Sequence, residues 1–199
     1  MITREKALEI VNAHIANKNL VKHCLAVEAT MKGLHGYLSR RDNPRVVPTE
    51  EEQNRWQITG LMHDADWEET RGDFNLHTKK TIEWLQAAGE TDEEIIQAIL
   101  AHNYNHNQSN PPKTPLEWSL YICDELTGLI TACALILPEK KLASVTVESV
   151  LKKFPQKKFA AGVHREQIEL CEEKLGIKLD EFVKIVLESM QKIAPDLGL

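Results

Sequence analysis

Apolar positions at Leu20, Cys24, Val27, Met31, Leu34 and Leu38 step by four and three residues, which predicts one long amphipathic helix. Ahead of it, Thr3 suits an N-cap with Glu5 in the first turn, and Ala7, Leu8, Ile10, Val11 and Ile15 follow at helical spacing. Residues 39–48 read as a loop. Thr49 and Glu52 have the spacing of a capping box and open a helix through Trp56, Ile58, Leu61 and Met62 to His63. Gly60 in that helix would let another backbone or a ligand come close. After a short acidic loop, His77 opens a helix with Thr81, Trp84, Leu85 and Ala88, ended by Gly89. Thr91 with Glu94 caps the next, which carries Ile95, Ile96, Ile99 and Leu100 to His102. The polar segment Asn103 to Thr114 reads as a loop. Pro115 then suits the first turn of a helix holding Leu116, Trp118, Leu120, Asp124 and Thr127 and running on to Leu137. Three further helices are expected over Val145 to Phe154, about Phe159 to Leu175, and Leu179 to Ala194. No stretch alternates with period two, and no repeat or long linker divides the chain. The pattern predicts one all-α domain over 1–199, with a motif-bearing core at about 20–130 and a C-terminal helical extension at about 140–199.

Composition narrows the partners. The net charge of −6 leaves no broad basic face for long nucleic acid, although a metal or a local basic cluster can still draw a small anion into one cleft. The apolar run Leu129 to Leu137 ends at Pro138, well short of the about 20 residues a membrane span needs. The N-terminus lacks the apolar segment of a signal peptide. Cys24, Cys123, Cys133 and Cys171 are scattered in apolar helical contexts with no CxxC pair, the usage of reduced, buried thiols. The expectation is a cytoplasmic protein with no membrane partner.

Several polar residues sit on apolar faces. Asp124 has Leu120, Tyr121, Thr127 and Leu129 as helical neighbours, so its carboxylate must be paired or bound to a metal. His23 lies on the edge of the long stripe, and His102 follows Ile95, Ala98 and Ile99 at helical spacing. Taken singly, each histidine fits a satisfied core residue. Taken together, His23, His63, Asp64, His77, His102 and Asp124 all fall on or at the ends of predicted helices. Imidazole and carboxylate donors of this kind suit iron, manganese, zinc, cobalt or nickel.

The ordered set resembles the HD-domain metal-dependent phosphohydrolase superfamily. It comprises His23 in KHCLAVE, the His63-Asp64 pair in GLMHDADWE, His77 in NLHTKK, His102 in AILAHN, and Asp124 in YICDELTG. The resemblance implies an all-α helical bundle binding two divalent transition metals. Asp64 would be shared, His23 and Asp124 would complete one metal, and His77 and His102 the other. It also implies hydrolysis of a small phosphate ester or anhydride, such as a nucleotide or dinucleotide, by a metal-activated hydroxide. The same ligand set resembles di-iron oxygenases of HD type. A metal-containing binding or sensor module is a third reading.

One departure concerns the position three residues after Asp64, where many members of the superfamily carry Lys or Glu. Here it is Trp67. Asp66 and Glu68 flank it as candidates for the general acid or base, beside an equally simple reading as an exposed acidic loop. Arg71, Lys79 and Lys80 are nearby substitutes for the phosphate contact. The basic segment KKFPQKKFAAGVHRE, residues 152–166, offers Lys157, Lys158 and Arg165 as further phosphate contacts, or as a solvated face. His106, one helical turn after His102, is expected to line the cleft, whereas His14, His35 and His164 read as surface or loop residues.

Overall fold

The computed structural model describes residues 1–45 and 47–199; Val46, inside the predicted loop 39–48, lies outside the described residues. Among the described residues every regular element is helical. In chain order these are α1 (Arg4–His14), α2 (Lys18–Asp42), α3 (Glu50–Met62), α4 (Trp67–Thr70), α5 (Lys79–Ala87), α6 (Glu93–His102), α7 (Tyr104–Asn107) and α8 (Pro115–Leu135). A 3-10 turn at Leu142–Ser144 leads to α9 (Val147–Lys153), α10 (Arg165–Ile168), α11 (Cys171–Leu175), α12 (Leu179–Lys192) and α13 (Ala194–Leu197).

Local chemistry sets the helix starts. Thr3 accepts from the Lys6 amide to cap α1, and complete capping boxes open α3 (Thr49 with Glu52) and α8 (Thr114 with Glu117, with Pro115 in the first turn). The N-cap of α6 is Asp92, one residue beyond the Thr91 expected. The predicted stripe of α2 is buried at Cys24, Val27, Met31, Leu34 and Leu38. α2 packs against α3, α8 and α12 and forms the spine of the molecule. Gly60 has the close approach its sequence context suggested. A Cβ there would lie 2.9 Å from the Val27 carbonyl and 3.0 Å from Glu28 Cα, so only glycine allows α3 this near α2.

Two apolar clusters result. One gathers α1, α3 and parts of α5 and α6; the other gathers α8, α9, α11 and α12. α2 contributes to both, with Cys24 in the first and Val27 and Met31 in the second. The four cysteines are free and buried, and among the described residues no helix is long and apolar enough to cross a membrane.

The elements depart from the sequence pattern in several places: α4 and α7 are short helices inside segments expected as loops, and α8 ends at Leu135, short of Leu137. α2 runs on to Asp42, into the expected loop. His77 precedes its helix, because Thr78 takes a left-handed conformation (φ 75°) and the helix begins at Lys79. The segment about 159–175 is a loop followed by two short helices. Buried Arg165 explains this: its guanidinium donates to the carbonyls of Phe154, Gln156, Phe159, Ala160 and Val163. Those bonds satisfy backbone oxygens that a helix would otherwise have occupied, and they fix residues 155–163 as irregular chain.

Candidate metal centre

The four histidines and two aspartates arrive from separate elements at the seam between the two apolar clusters. His23 comes from the second turn of α2, His63 and Asp64 from the C-terminal end of α3, His77 from the turn before α5, His102 from the last residue of α6, and Asp124 from the middle of α8. Their neighbours Cys24, Met62 and Ala65 belong to one cluster and Cys123 to the other. Packing on both sides therefore sets the positions of the polar groups between them.

Asp64 is central. Its Oδ2 lies 3.7 Å from His23 Nε2 and 3.6 Å from His63 Nε2, while its Oδ1 lies 3.4 Å from His77 Nε2 and 3.3 Å from His102 Nε2. Asp124 closes the opposite side, with Oδ1 2.8 Å from His23 Nε2 and 3.5 Å from His63 Nε2, and Oδ2 3.6 Å from His102 Nδ1. His23 Nε2 and His63 Nε2 stand 3.2 Å apart. Three overlapping groups of these residues have donor atoms close enough to hold a metal ion: His23, His63 and Asp64; His63, His102 and Asp124; and Asp64, His77 and His102. The donor set also fits a cation on chemical grounds. Asp64 Oδ1 and His77 Nε2 are buried and adjacent, yet neither has a hydrogen-bond partner among the described residues. Buried polar atoms are rarely left so unless an ion or water completes them.

The outer nitrogens are fixed by the chain. His63 Nδ1 donates to the Gly60 carbonyl at 2.7 Å, which leaves Nε2 facing the cluster. His77 Nδ1 donates to Asp66 Oδ1 at 2.8 Å. Asp66 is fully buried and also accepts from the amides of Thr78 (3.1 Å) and Thr81 (3.1 Å). Both of its oxygens are thus committed behind His77, away from any substrate. The expectation of Asp66 as general acid or base gives way to a positioning role, in which a carboxylate orients a ligand imidazole.

Electrostatics follow from the same contacts. Burial lowers the proton affinity of His23, but Asp124 and Asp64 outweigh it and raise its pKa to about 9. His77 is likewise pushed down by burial and lifted to about 9 by Asp64 and Asp66. For His102, burial wins and its pKa falls. Burial opposes ionisation of Asp64 and Asp124, yet the surrounding imidazoles hold both carboxyls well below their ordinary range.

The remaining candidates separate by position. The Glu68 carboxylate accepts from the amides of Ala16 and Asn17, both at 2.8 Å, and so ties the chain after the His-Asp pair to the start of α2. This occupies it as an anchor instead of an acid or base at the cluster. Lys80 pairs with Glu69 at 3.0 Å, and Glu69 also takes His14 Nδ1 at 2.9 Å, so the Lys80 ammonium is engaged in that surface group. Arg165 is engaged with five backbone carbonyls within its own loop, which removes it as a phosphate contact. Arg71, Lys79, Lys157 and Lys158 are exposed. His106 does stand beside the cluster. Its ring stacks on Phe74 (centroids 4.2 Å, planes 7° apart) and lies 6.5 Å from Trp67, which itself packs edge-on against His77 at 4.9 Å. Trp67 thus forms an aromatic wall where a charge was expected.

Two neighbours of the ligands escaped the sequence reading. Glu125, next to Asp124, accepts from the His164 amide at 2.8 Å and moors the 155–163 loop beside the centre. Burial and the Asp124 charge raise its pKa to about 7. Lys22, next to His23, is half-buried and forms no ion pair among the described residues. Adjacency to a ligand was the only signal for either.

No curated protein and no solved structure matched the chain. The family model of the HD domain matches residues 20–129, a span that begins just before His23 and ends just after Asp124. Since that match takes in more than half of the 199 residues and every member of the His/Asp cluster, the chain belongs to the HD domain family.

Proposed function

We propose that this protein is a metal-dependent phosphohydrolase that holds two divalent transition metals and acts on a small phosphate ester or anhydride. HD domains bind divalent metals and are generally hydrolases, and the reading extends this to the present centre. The observation that carries it is the division of Asp64, with one carboxylate oxygen toward His23 and His63 and the other toward His77 and His102. A carboxylate so placed could be shared between two cations.

His23, His63 and Asp124 would hold one cation, and His77 and His102 the other, with Asp64 common to both. Divalent cations supply Lewis-acid polarisation of a phosphoryl oxygen and a water acidic enough to attack at neutral pH. Asp66 and the Gly60 carbonyl keep His77 and His63 in the tautomers that present Nε2. Trp67 packs edge-on against His77, with Phe74 and His106 stacked on each other beside it. In a chain of net charge −6, two cations facing two carboxylates make this one place locally positive, which favours a phosphate.

The test begins with the metal content of protein purified without added metal, followed by phosphate release from a panel of phosphate esters and anhydrides. Release that disappears in His63→Ala and Asp64→Ala is the expected result. Iron in the centre, with oxygen uptake and no phosphate release, would overturn the reading in favour of an oxygenase. Ligand binding with neither activity would mark a sensor.

A further inference from the structure

Asn103 follows His102 at the C-terminal end of α6 and is fully buried. Its side-chain amide meets two backbone carbonyls, those of Phe74 (2.6 Å) and His77 (3.2 Å). Carbonyls only accept, so Nδ2 donates to both. The Asn103 carbonyl in turn accepts from the amides of His106 (3.1 Å) and Asn107 (3.2 Å), which starts α7. One residue therefore ties the end of α6 to the turn that carries His77, 26 positions earlier in the chain.

That turn is strained. Thr78 is β-branched, yet its φ is 75°. At such a φ the Cβ crowds the backbone, and the conformation persists only where its surroundings over-determine it. Here the peptide between His77 and Thr78 is held at both ends. Asn103 Nδ2 donates to the His77 carbonyl, and the Thr78 amide donates to Asp66 Oδ1 at 3.1 Å. Releasing either end would let the peptide rotate and Thr78 relax, and the chain that carries the His77 ring would turn with them.

We propose that Asn103 is a positioning residue that fixes His77 against His102 through the strained Thr78 turn, so that the cation these two ligands share depends on it. This assignment rests on the two-cation reading of the centre and goes beyond it by naming a residue, outside the ligand set, on which one cation depends and the other does not.

Three observations support it. Asp64 Oδ1 lies 3.4 Å from His77 Nε2 and 3.3 Å from His102 Nε2, a near-equal spacing that follows from how the turn sits against α6. His23, His63 and Asp124 come instead from α2, the end of α3 and α8, none of which the Asn103 side chain bonds. Phe74, the other residue whose carbonyl Asn103 holds, stacks on His106 of α7 at 4.2 Å, so the segment leading into the turn is pinned to α7 as well as to α6.

The experiment uses the full-length chain, with cobalt(II) as the metal probe and amide hydrogen exchange of the metal-free protein as a second readout. In Asn103→Ala the Thr78 amide should exchange about tenfold faster, the scale of one lost hydrogen bond, while amides in the middle of α8 keep their wild-type rates. Calorimetric titration should show two cobalt steps in the wild type. In the variant one step should weaken by about 10- to 100-fold and the other should not change. Asn103→Asp keeps the shape but turns an acceptor toward both carbonyls, and should lose at least as much. Adding Thr78→Gly to Asn103→Ala should return most of the lost affinity, because glycine takes a positive φ without crowding. A residue that only filled space would not be rescued in this way. Should Asn103→Ala fail to fold, Asn103→Ser, which keeps one donor, carries the same comparison. Wild-type exchange at Thr78 in a folded Asn103 variant would overturn the proposal. So would protection lost evenly through α6 and α8, or no recovery with Thr78→Gly. A single cobalt in the wild type would overturn the two-cation reading alone; faster Thr78 exchange in Asn103→Ala would still support the positioning of His77.

Discussion

Asp66 receives three hydrogen bonds in a fully buried position, and the first of them holds His77 Nδ1. Asparagine has the same shape but cannot accept at both side-chain atoms, and it withdraws the charge that keeps the Nδ1 proton in place. Asp66→Asn is therefore expected to weaken metal binding by about 10- to 100-fold, since groups that orient a ligand imidazole through its other nitrogen carry effects of that size. Competition against a chelating dye measures it, with circular dichroism to confirm retained helicity. Wild-type affinity in a folded variant would show that the Thr78 turn alone orients the ring. Asp66 also marks the limit of reading residues from a sequence. The ligand types and their order were legible, because His23, His63-Asp64, His77, His102 and Asp124 sit at helix positions that burial would otherwise reject. Side-chain direction was not. An aspartate two residues after a ligand reads equally well as an acid in the cleft or a support behind it, and only the turn at Thr78 decides. Arg165 misled for the same reason: its charge was visible, whereas the five carbonyls that claim it were not.

Between elements, the critical distance is that from α2 to α3, because α2 carries His23 and α3 ends at His63. Gly60 sets it. A methyl group at this position would strike the Val27 carbonyl and Glu28 Cα, both backbone atoms that cannot move without moving the helix. Gly60→Ala is expected to destabilise the fold by about 1–3 kcal/mol, the usual range for overpacking. It should also lower metal affinity, because the His23 Nε2 to His63 Nε2 spacing of 3.2 Å would open. Denaturant unfolding of metal-free protein and metal titration of the folded variant read the two effects separately. A stability loss with unchanged affinity would mean that the helices part at their far ends only. The apolar period identifies α1, α2, α3, α6 and α8, and capping residues add the starts of α1, α3 and α8; the α2 cap, Asn17, has no such signal in the pattern, and the α6 cap is Asp92 instead of Thr91. The short helices α4, α7, α10 and α11 carry four or five residues each, too few for a stripe, and tertiary bonds to Glu68, Glu125 and Arg165 hold the chain around them. Those bonds join residues up to 52 positions apart, which no local pattern records.

For the whole molecule, protons and metal compete for the same nitrogens. Without metal, the folded pKa values of His23 and His77 stand at about 9, above the ordinary 6.5. A group raised in this way stabilises the fold fully below its unfolded pKa and loses that contribution as pH rises through the folded value. The metal-free protein should therefore lose stability between pH about 6.5 and 9, by on the order of a few kcal/mol for the pair. Asp64 and Asp124 act in the opposite sense. Their depressed pKa values contribute stability above the usual carboxylate range that is lost only in strong acid, so they leave the neutral window flat. Metal requires both imidazoles neutral, so at pH 7 loading should expel close to two protons per molecule from His23 and His77. Affinity should then climb with pH across the window in which the metal-free fold weakens. Thermal melts at pH 6.5, 7.5 and 8.5, with and without metal, should show the metal-free Tm falling while the gap between the two forms widens. Calorimetric metal titrations in buffers of different ionisation enthalpy count the protons directly. A gap that stays constant with pH, or a proton count near zero, would mean that His23 and His77 are neutral before metal arrives and that the carboxylates around them do not hold the charge inferred from their distances.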